Sequence, residues 1–206
     1  PGARVDVGSL VASTLAIGDA DFLAGRYSFG GQGAAVVNRG TISAAERGTV
    51  ALLGGSVAND GTISAKLGTV ALGAGRRITL DLAGDGLSQL TVSEAALGAL
   101  VANGGAVVAD GGQVLLSASA VDALAASVIN QSGTLRARSL VERDGRVVLD
   151  GGDSGATLVS GDIDASGAAG AQGGDIQVLG HHVGITDAAT LDASGDILGA
   201  YLRKAA

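Results

Sequence analysis

A nine-residue phrase recurs in this chain and constrains its fold more than any other feature. Val36-Val37-Asn38-Arg39-Gly40-Thr41-Ile42-Ser43-Ala44 returns as Val57-Ala58-Asn59-Asp60-Gly61-Thr62-Ile63-Ser64-Ala65, and Gly-Thr-Val-Ala-Leu follows each copy, at Gly48 and again at Gly68. The Asn residues lie 21 positions apart and the glycines 20. A period of that length, built from short alternating strands, is the signature of a strand solenoid.

Two half-turn patterns extend the repeat along the chain. Gly-x-Ile/Val/Leu-x-Ala runs at Gly40 to Ala44, Gly61 to Ala65, Gly105 to Ala109, Gly133 to Ala137 and Gly161 to Ala165, with Ala in the Gly slot at Ala189 to Ala193. Gly-x-Val/Ile-x-Leu/Val runs at Gly48 to Leu52, Gly68 to Leu72, Gly112 to Leu116, Gly145 to Leu149 and Gly174 to Val178. In both, apolar residues two apart point to one face while Thr, Ser, Arg or Asp points to the other. The expected fold is all-β: a right-handed parallel β-helix with one rung per pair of half-turns. Seven or eight rungs at ~4.8 Å would make a rod roughly 35 Å long.

The core this requires is the one the composition supplies. The chain has 36 Gly, one Pro, 2% aromatic and 47% hydrophobic residues. Small and β-branched side chains can fill a narrow core when each rung repeats the residue type of the one below.

From Ile42 the equivalent positions are Ile63, Val107, Leu135, Ile163 and Leu191, so the steps are 21, 44, 28, 28 and 28 residues. The long step holds Ile78-Thr79-Leu80-Asp81-Leu82, an Ala83-Gly84-Asp85-Gly86 turn and Leu87 to Val92, which reads as a β-hairpin excursion. Ser93 to Leu100 follows as a short helix with Ser93 as N-cap, and Ser119 to Ala126 reads as a second, with Asp122 completing a capping-box variant. Residues 1–195 form one β-helical domain on this reading, and 196–206 a divergent tail without a rung.

Charge and residue usage exclude several functions. A net charge of −7 disfavours a nucleic-acid surface, since Arg76-Arg77 and the spread Arg136, Arg138, Arg143, Arg146 group are the only basic features. No apolar run approaches a membrane span. Cysteine is absent, which removes disulfides and thiolate metal ligands and suits a chain that threads a pore unfolded. Methionine is absent too, so a chain opening Pro1-Gly2 is expected to be processed or cropped, with any targeting segment upstream.

Asp6-Val7-Gly8-Ser9-Leu10-Val11-Ala12-Ser13-Thr14-Leu15 and Asp21-Phe22-Leu23-Ala24-Gly25-Arg26-Tyr27-Ser28-Phe29, with the N-x-G-T-I-x-A and G-T-V-A-L repeats, carry a family resemblance. So do the Leu82-Ala83-Gly84-Asp85-Gly86-Leu87 turn and the Asp-Ala-Ser-Gly signatures at Asp164 and Asp192. Over about residues 1 to 195 the sequence resembles the filamentous haemagglutinin family of two-partner secretion exoproteins. The resemblance implies a large secreted Gram-negative protein, an adhesin or haemagglutinin at the cell surface, exported by a dedicated outer-membrane β-barrel transporter with POTRA domains. A host-cell or bacterial surface receptor is a further implied partner. The family's Asn-Pro-Asn-Gly-Ile type segment has no counterpart before Pro1-Gly2, so the first rungs and cap are expected to lie upstream. The ending Ala-Tyr-Leu-Arg-Lys-Ala-Ala departs from the family's Gly-rich repeats.

Candidate sites are few. Asn38, Asn59, Asn103 and Asn130 occupy matching rung positions and read as an amide ladder at a corner. Phe22, Tyr27 and Phe29, three of the four aromatics, fall within nine residues around Arg26. They read either as rings plugging a gap against the rod or as a partner-docking hot spot. His181 and His182 are adjacent on a strand and face opposite ways, which argues against a shared metal. Asp19 with Asp21, and Asp162 with Asp164, lack the tandem nine-residue period of calcium-binding rolls. No catalytic, metal or cofactor site is expected. The fold also carries polysaccharide lyases, so a carbohydrate-active enzyme is the alternative reading.

Overall fold

The computed structural model describes residues 2–81, 89–121, 127–141 and 143–195, and the backbone of 201–204. Among the described residues the strands form three parallel stacks and one antiparallel sheet. The first stack holds Arg4–Val7, Thr41–Ala44, Thr62–Ser64, Ala106–Val108, Thr134–Arg136, Asp162–Asp164 and Thr190–Asp192. The second holds Leu10–Ser13, Thr49–Gly54, Thr69–Ala74, Gln113–Ala118, Arg146–Asp150, Asp175–Leu179 and Tyr201–Lys204. The third holds Ala35–Asn38, Ser56–Asn59, Val101–Asn103, Ser127–Gln131, Ala156–Val159 and His182–Ile185. This is a parallel β-helix. Stacks of seven strands at ~4.8 Å span about 29 Å along the axis.

The two half-turn patterns occupy the first and second stacks in the expected register. Ile42, Ile63, Val107, Leu135, Ile163 and Leu191 stand one above another. Val50, Val70, Val114, Val147 and Ile176 do the same. Each coil has three strands and not two. The third is the Val-x-Asn segment between the patterns, whose inward Val36, Val57, Val101 and Ile129 join the main core.

Glycine is fixed at one corner by the coil spacing. A Cβ on Gly61 would meet the carbonyl oxygen of Gly40, one on Gly105 that of Gly61, and one on Gly133 that of Gly105. At another corner Arg47 (φ 64°), Leu67 (φ 57°) and Gly111 (φ 68°) are all left-handed. There each backbone N–H reaches a carbonyl of the next coil: Arg47 to Lys66, Leu67 to Asp110, Gly111 to Arg138.

Several expectations need correction. Ser93 and Glu94 end a strand, Gln89–Glu94, and no helix follows. Ala96 instead bridges Ala120 of the next coil, because Ala96 and Ala99 are needed in the core while Leu97 faces solvent. Ser119 and Ala120 are likewise non-helical, and 122–126 of the second expected helix lie outside the described residues. Among the described residues a short helix does occur at Asp19–Leu23, where the sequence shows no clear helical signal. Tyr201–Lys204 pairs in parallel with Asp175–Leu179, so part of the tail supplies a strand.

Candidate docking surface

The outer face of the second stack is apolar at Ala51, Leu53 and Ala71, and these side chains need a cover. An antiparallel sheet supplies it, in the order Gln89–Glu94, Arg77–Asp81, Tyr27–Gly30, Ala16–Ile17. The alternation Arg77-Ile78-Thr79-Leu80-Asp81 turns Ile78 and Leu80 inward and the polar residues out. Leu15, Phe29, Ile78 and Leu80 then close a second core over Ala51, Leu53 and Ala71, with Ile17, Tyr27, Leu90 and Val92 at its margin. Gly73 gives the cover its close approach: a Cβ there would stand 3.1 Å from Leu53 Cδ2 and 3.3 Å from both Ile78 Cδ1 and Leu90 Cδ1. The expected hairpin is thus two strands of this sheet, with residues 82–88 of its turn outside those described. Arg77 Nε donates to Glu94 Oε1 at 2.6 Å across the pair, and this bond holds the Glu94 carboxyl below its ordinary pKa.

The aromatic cluster divides between buried and exposed positions. Phe29 is 6% exposed inside the second core, and Tyr27 is half-buried beside it. Phe22 is 59% exposed and Leu23 84%. Both sit on the helix Asp19–Leu23, which buries none of its residues. Local hydrogen bonds and a ring contact hold the segment in shape. The N–H groups of Asp21 and Phe22 donate to Gly18 O, and Arg26 Nε and Nη2 donate to Asp21 Oδ1 at 2.9 and 2.8 Å. The Phe22 ring stands edge-on to Tyr27, with centroids 6.5 Å apart and an interplanar angle of 81°. The result is an apolar pair presented to solvent on a short element, with Asp19, Asp21 and Arg26 around it. Buried aromatic and aliphatic anchors carry most of the free energy of protein interfaces, so this geometry can bind a partner by burying Phe22 and Leu23. Leu23 was missed in the sequence, where it reads as one more apolar residue of a loop.

The amide side chains of the third stack form a row at the corner leading into the first. Asn38 Nδ2 donates to Asn59 Oδ1 at 2.7 Å, Asn59 Nδ2 to Asn103 Oδ1 at 2.7 Å, and Asn103 Nδ2 to Gln131 Oε1 at 2.9 Å. Asn130 stands outside this row, opposite Ala102 and Leu158 and half-buried. A bulge between Ser127 and Ile129 turns Gln131 inward in its place. The signal was in the spacing, since Asn38, Asn59, Asn103 and Gln131 each precede the corner glycine by two residues.

The remaining candidates are dispersed. His181 and His182 are exposed, and their rings meet edge to face at 4.5 Å. They do not face opposite ways, because only His182 belongs to the strand while His181 sits in the preceding corner. Asp164 accepts from the Ser166 N–H at 2.9 Å and hydroxyl at 2.6 Å. Asp192 does the same for the Ser194 N–H at 2.8 Å, and Ser194 holds its carboxyl below the ordinary range. The Asp-Ala-Ser-Gly signatures are therefore turns closed by their own aspartates. Asp19 and Asp21 lie in the first turn of the short helix.

Residues 1–178 match the family model of the TPS secretion domain. The chain belongs to the TPS secretion domain family. Among solved structures it is similar to the HMW1 secretion domain from Haemophilus influenzae, with 32% sequence identity and a TM-score of 0.82 over 94% of this chain. The chain spans about half, 50%, of that protein's length. No curated protein sequence matches it. A TPS secretion domain marks a two-partner-secreted exoprotein, and the family is not a family of enzymes. No helix among the described residues is long and apolar enough to cross a membrane.

Proposed function

We propose that this chain is the export-directing part of a secreted adhesin, recognised at the periplasmic side by an outer-membrane β-barrel transporter with POTRA domains and folding into its β-helix at the cell surface. The observation that carries this reading is the TPS family match over residues 1–178, on a chain with a β-helical fold and no cysteine. A β-helix suits the route. Each emerging coil finds the previous one complete, so folding outside draws the rest of the chain forward without a nucleotide in the outer membrane. The adhesive contact belongs to a surface receptor on a host cell or bacterium, and the chain itself works without catalysis or cofactor.

Within this reading Phe22 and Leu23 are the anchors for the transporter, carried on a local turn that Asp21 and Arg26 hold before the rod forms, and Tyr27 and Phe29 tie that turn to the rod once it has folded. The test is export from a Gram-negative host that carries the transporter. Phe22→Ala with Leu23→Ala lowers release while the melting temperature of the purified protein stays unchanged. Unchanged release from that variant removes the docking assignment.

A further inference from the structure

The β-helix has a register problem that its apolar pattern leaves unsolved. Inward positions of the third stack recur every second residue. A slip of one residue between coils turns Val57 and Asn59 outward and is forbidden by burial. A slip of two residues keeps apolar side chains inside and meets no objection from burial; what can resist it are the corner glycines, which it would set against Asn103 or Asn59, and the amides. Chain length sets no ruler either, because consecutive amide positions lie 21, 44 and 28 residues apart.

The amide row discriminates where the apolar pattern does not. Asn59, Asn103 and Gln131 are fully buried, so each amide needs a partner inside the protein. In register, amide meets amide at every step. A two-residue slip between the coils of Asn59 and Asn103 sets Asn59 against Val101, or Asn103 against Val57, and leaves buried amide groups facing methyls.

The row is also closed at both ends. Asn38 Oδ1 accepts from the N–H of Gly40, in its own corner, at 3.0 Å. The side-chain donors of Asn38, Asn59 and Asn103 then point toward the next coil in sequence. At the far end the column continues as Val159, which offers no acceptor, and there the residue is Gln. Its longer side chain lets Nε2 turn back to Gly133 O at 2.8 Å. Asn103 reaches the equivalent Gly105 O only at 3.4 Å.

We propose that the row Asn38, Asn59, Asn103, Gln131 is a register lock. It rejects two-residue slips as coils are added, across the 44-residue step in particular, and it acts on the choice of structure more than on stability.

Cysteine crosslinking in this cysteine-free chain tests it. Ala58 and Ala102 are register partners with outward side chains, so Ala58→Cys with Ala102→Cys reports the native pairing. Ser56→Cys or Asp60→Cys with Ala102→Cys reports the two slipped pairings, whose Cα separation in the native register is too long for a disulfide. Each pair is refolded from denaturant under oxidation, with the native row and with all four amides replaced by Val. Val159 shows that the column accepts that side chain, and full replacement leaves no amide orphaned.

The expected result is a rise of at least tenfold in slipped over native crosslinks when the row is removed, with no fall in melting temperature. A row that merely stabilises would give a lower melting temperature with native crosslinks alone, and that result overturns the proposal. Crosslinks are mapped by mass spectrometry on total denatured protein, so a variant that folds poorly still reports its register. Asn103→Val alone provides a second reading of the same ratio, and an unchanged ratio there also counts against the lock.

Discussion

Replacing Phe29 by Ala separates the plug from the docking surface within one aromatic cluster. The ring is 6% exposed and packs with Leu15, Leu53, Ile78 and Leu80. An aromatic side chain buries on the order of 150–250 Å², worth about 4–6 kcal/mol at ~25 cal/mol/Å². Measured Phe→Ala changes in cores fall at roughly 3–5 kcal/mol, because the site partly collapses. Release of the antiparallel sheet caps the loss, since once it detaches nothing more depends on Phe29. Detachment uncovers Ala51, Leu53 and Ala71, which are fully buried beneath it. For a chain of this length 3 kcal/mol corresponds to a fall in Tm of about 6–12 °C. Circular dichroism melts of Phe29→Ala and Phe22→Ala measure the contrast, with a dye that fluoresces on apolar surfaces reporting sheet release. Phe22 is 59% exposed, so its replacement moves Tm by less than about 2 °C. A Phe29→Ala protein that melts with the wild type and binds no dye refutes the second core as described.

Other perturbations probe the rod. Gly105→Ala places a methyl against the Gly61 carbonyl and forces two coils apart, so soluble expression falls steeply, an outcome a fractionation assay reads directly. Arg47→Gly relieves a left-handed non-glycine residue on an exposed corner and raises stability by about 0.5–1 kcal/mol in urea titrations. The carboxyls of Glu94, held down by Arg77, and Asp192, held down by Ser194, have depressed folded-state pKa values. Their contribution is present above the ordinary carboxylate range and is lost as pH falls through the depressed values; Glu94→Gln therefore flattens the acid side of a stability–pH profile slightly. Ile63→Asp puts an unpaired charge at a fully buried position and slows export through its effect on folding, read as secreted protein per unit time.

The sequence carried the first two stacks almost residue for residue, because a Gly at the corner and apolar residues two apart mark the same half-turn in each coil. The third stack was less legible. Its strands share no common entering residue, since Gly55 and Gly155 precede Ser56–Asn59 and Ala156–Val159 while Ala34 and Leu100 precede Ala35–Asn38 and Val101–Asn103, so Val36 to Asn38 and Val57 to Asn59 read as parts of the neighbouring turn. The cover was half visible: Ile78 to Leu80 alternates plainly, but its second partner, Tyr27–Gly30, lies almost fifty residues upstream and joins through packing on Leu53 and Ala71, which no local pattern encodes. The Ser93 helix failed because capping residues and alanines also suit a corner where Ala96 and Ala99 must turn inward. Residue type points to Asn130 as a row member, whereas distance to the corner glycine selects Gln131.

Transporter-dependent release is the most direct test of the account. The exoprotein that carries this chain is expressed in a Gram-negative host with and without its partner transporter, and the culture medium is assayed for it. The account predicts release only with the transporter, and a further loss when Phe22 and Leu23 are both Ala. Equal release without the transporter would contradict it.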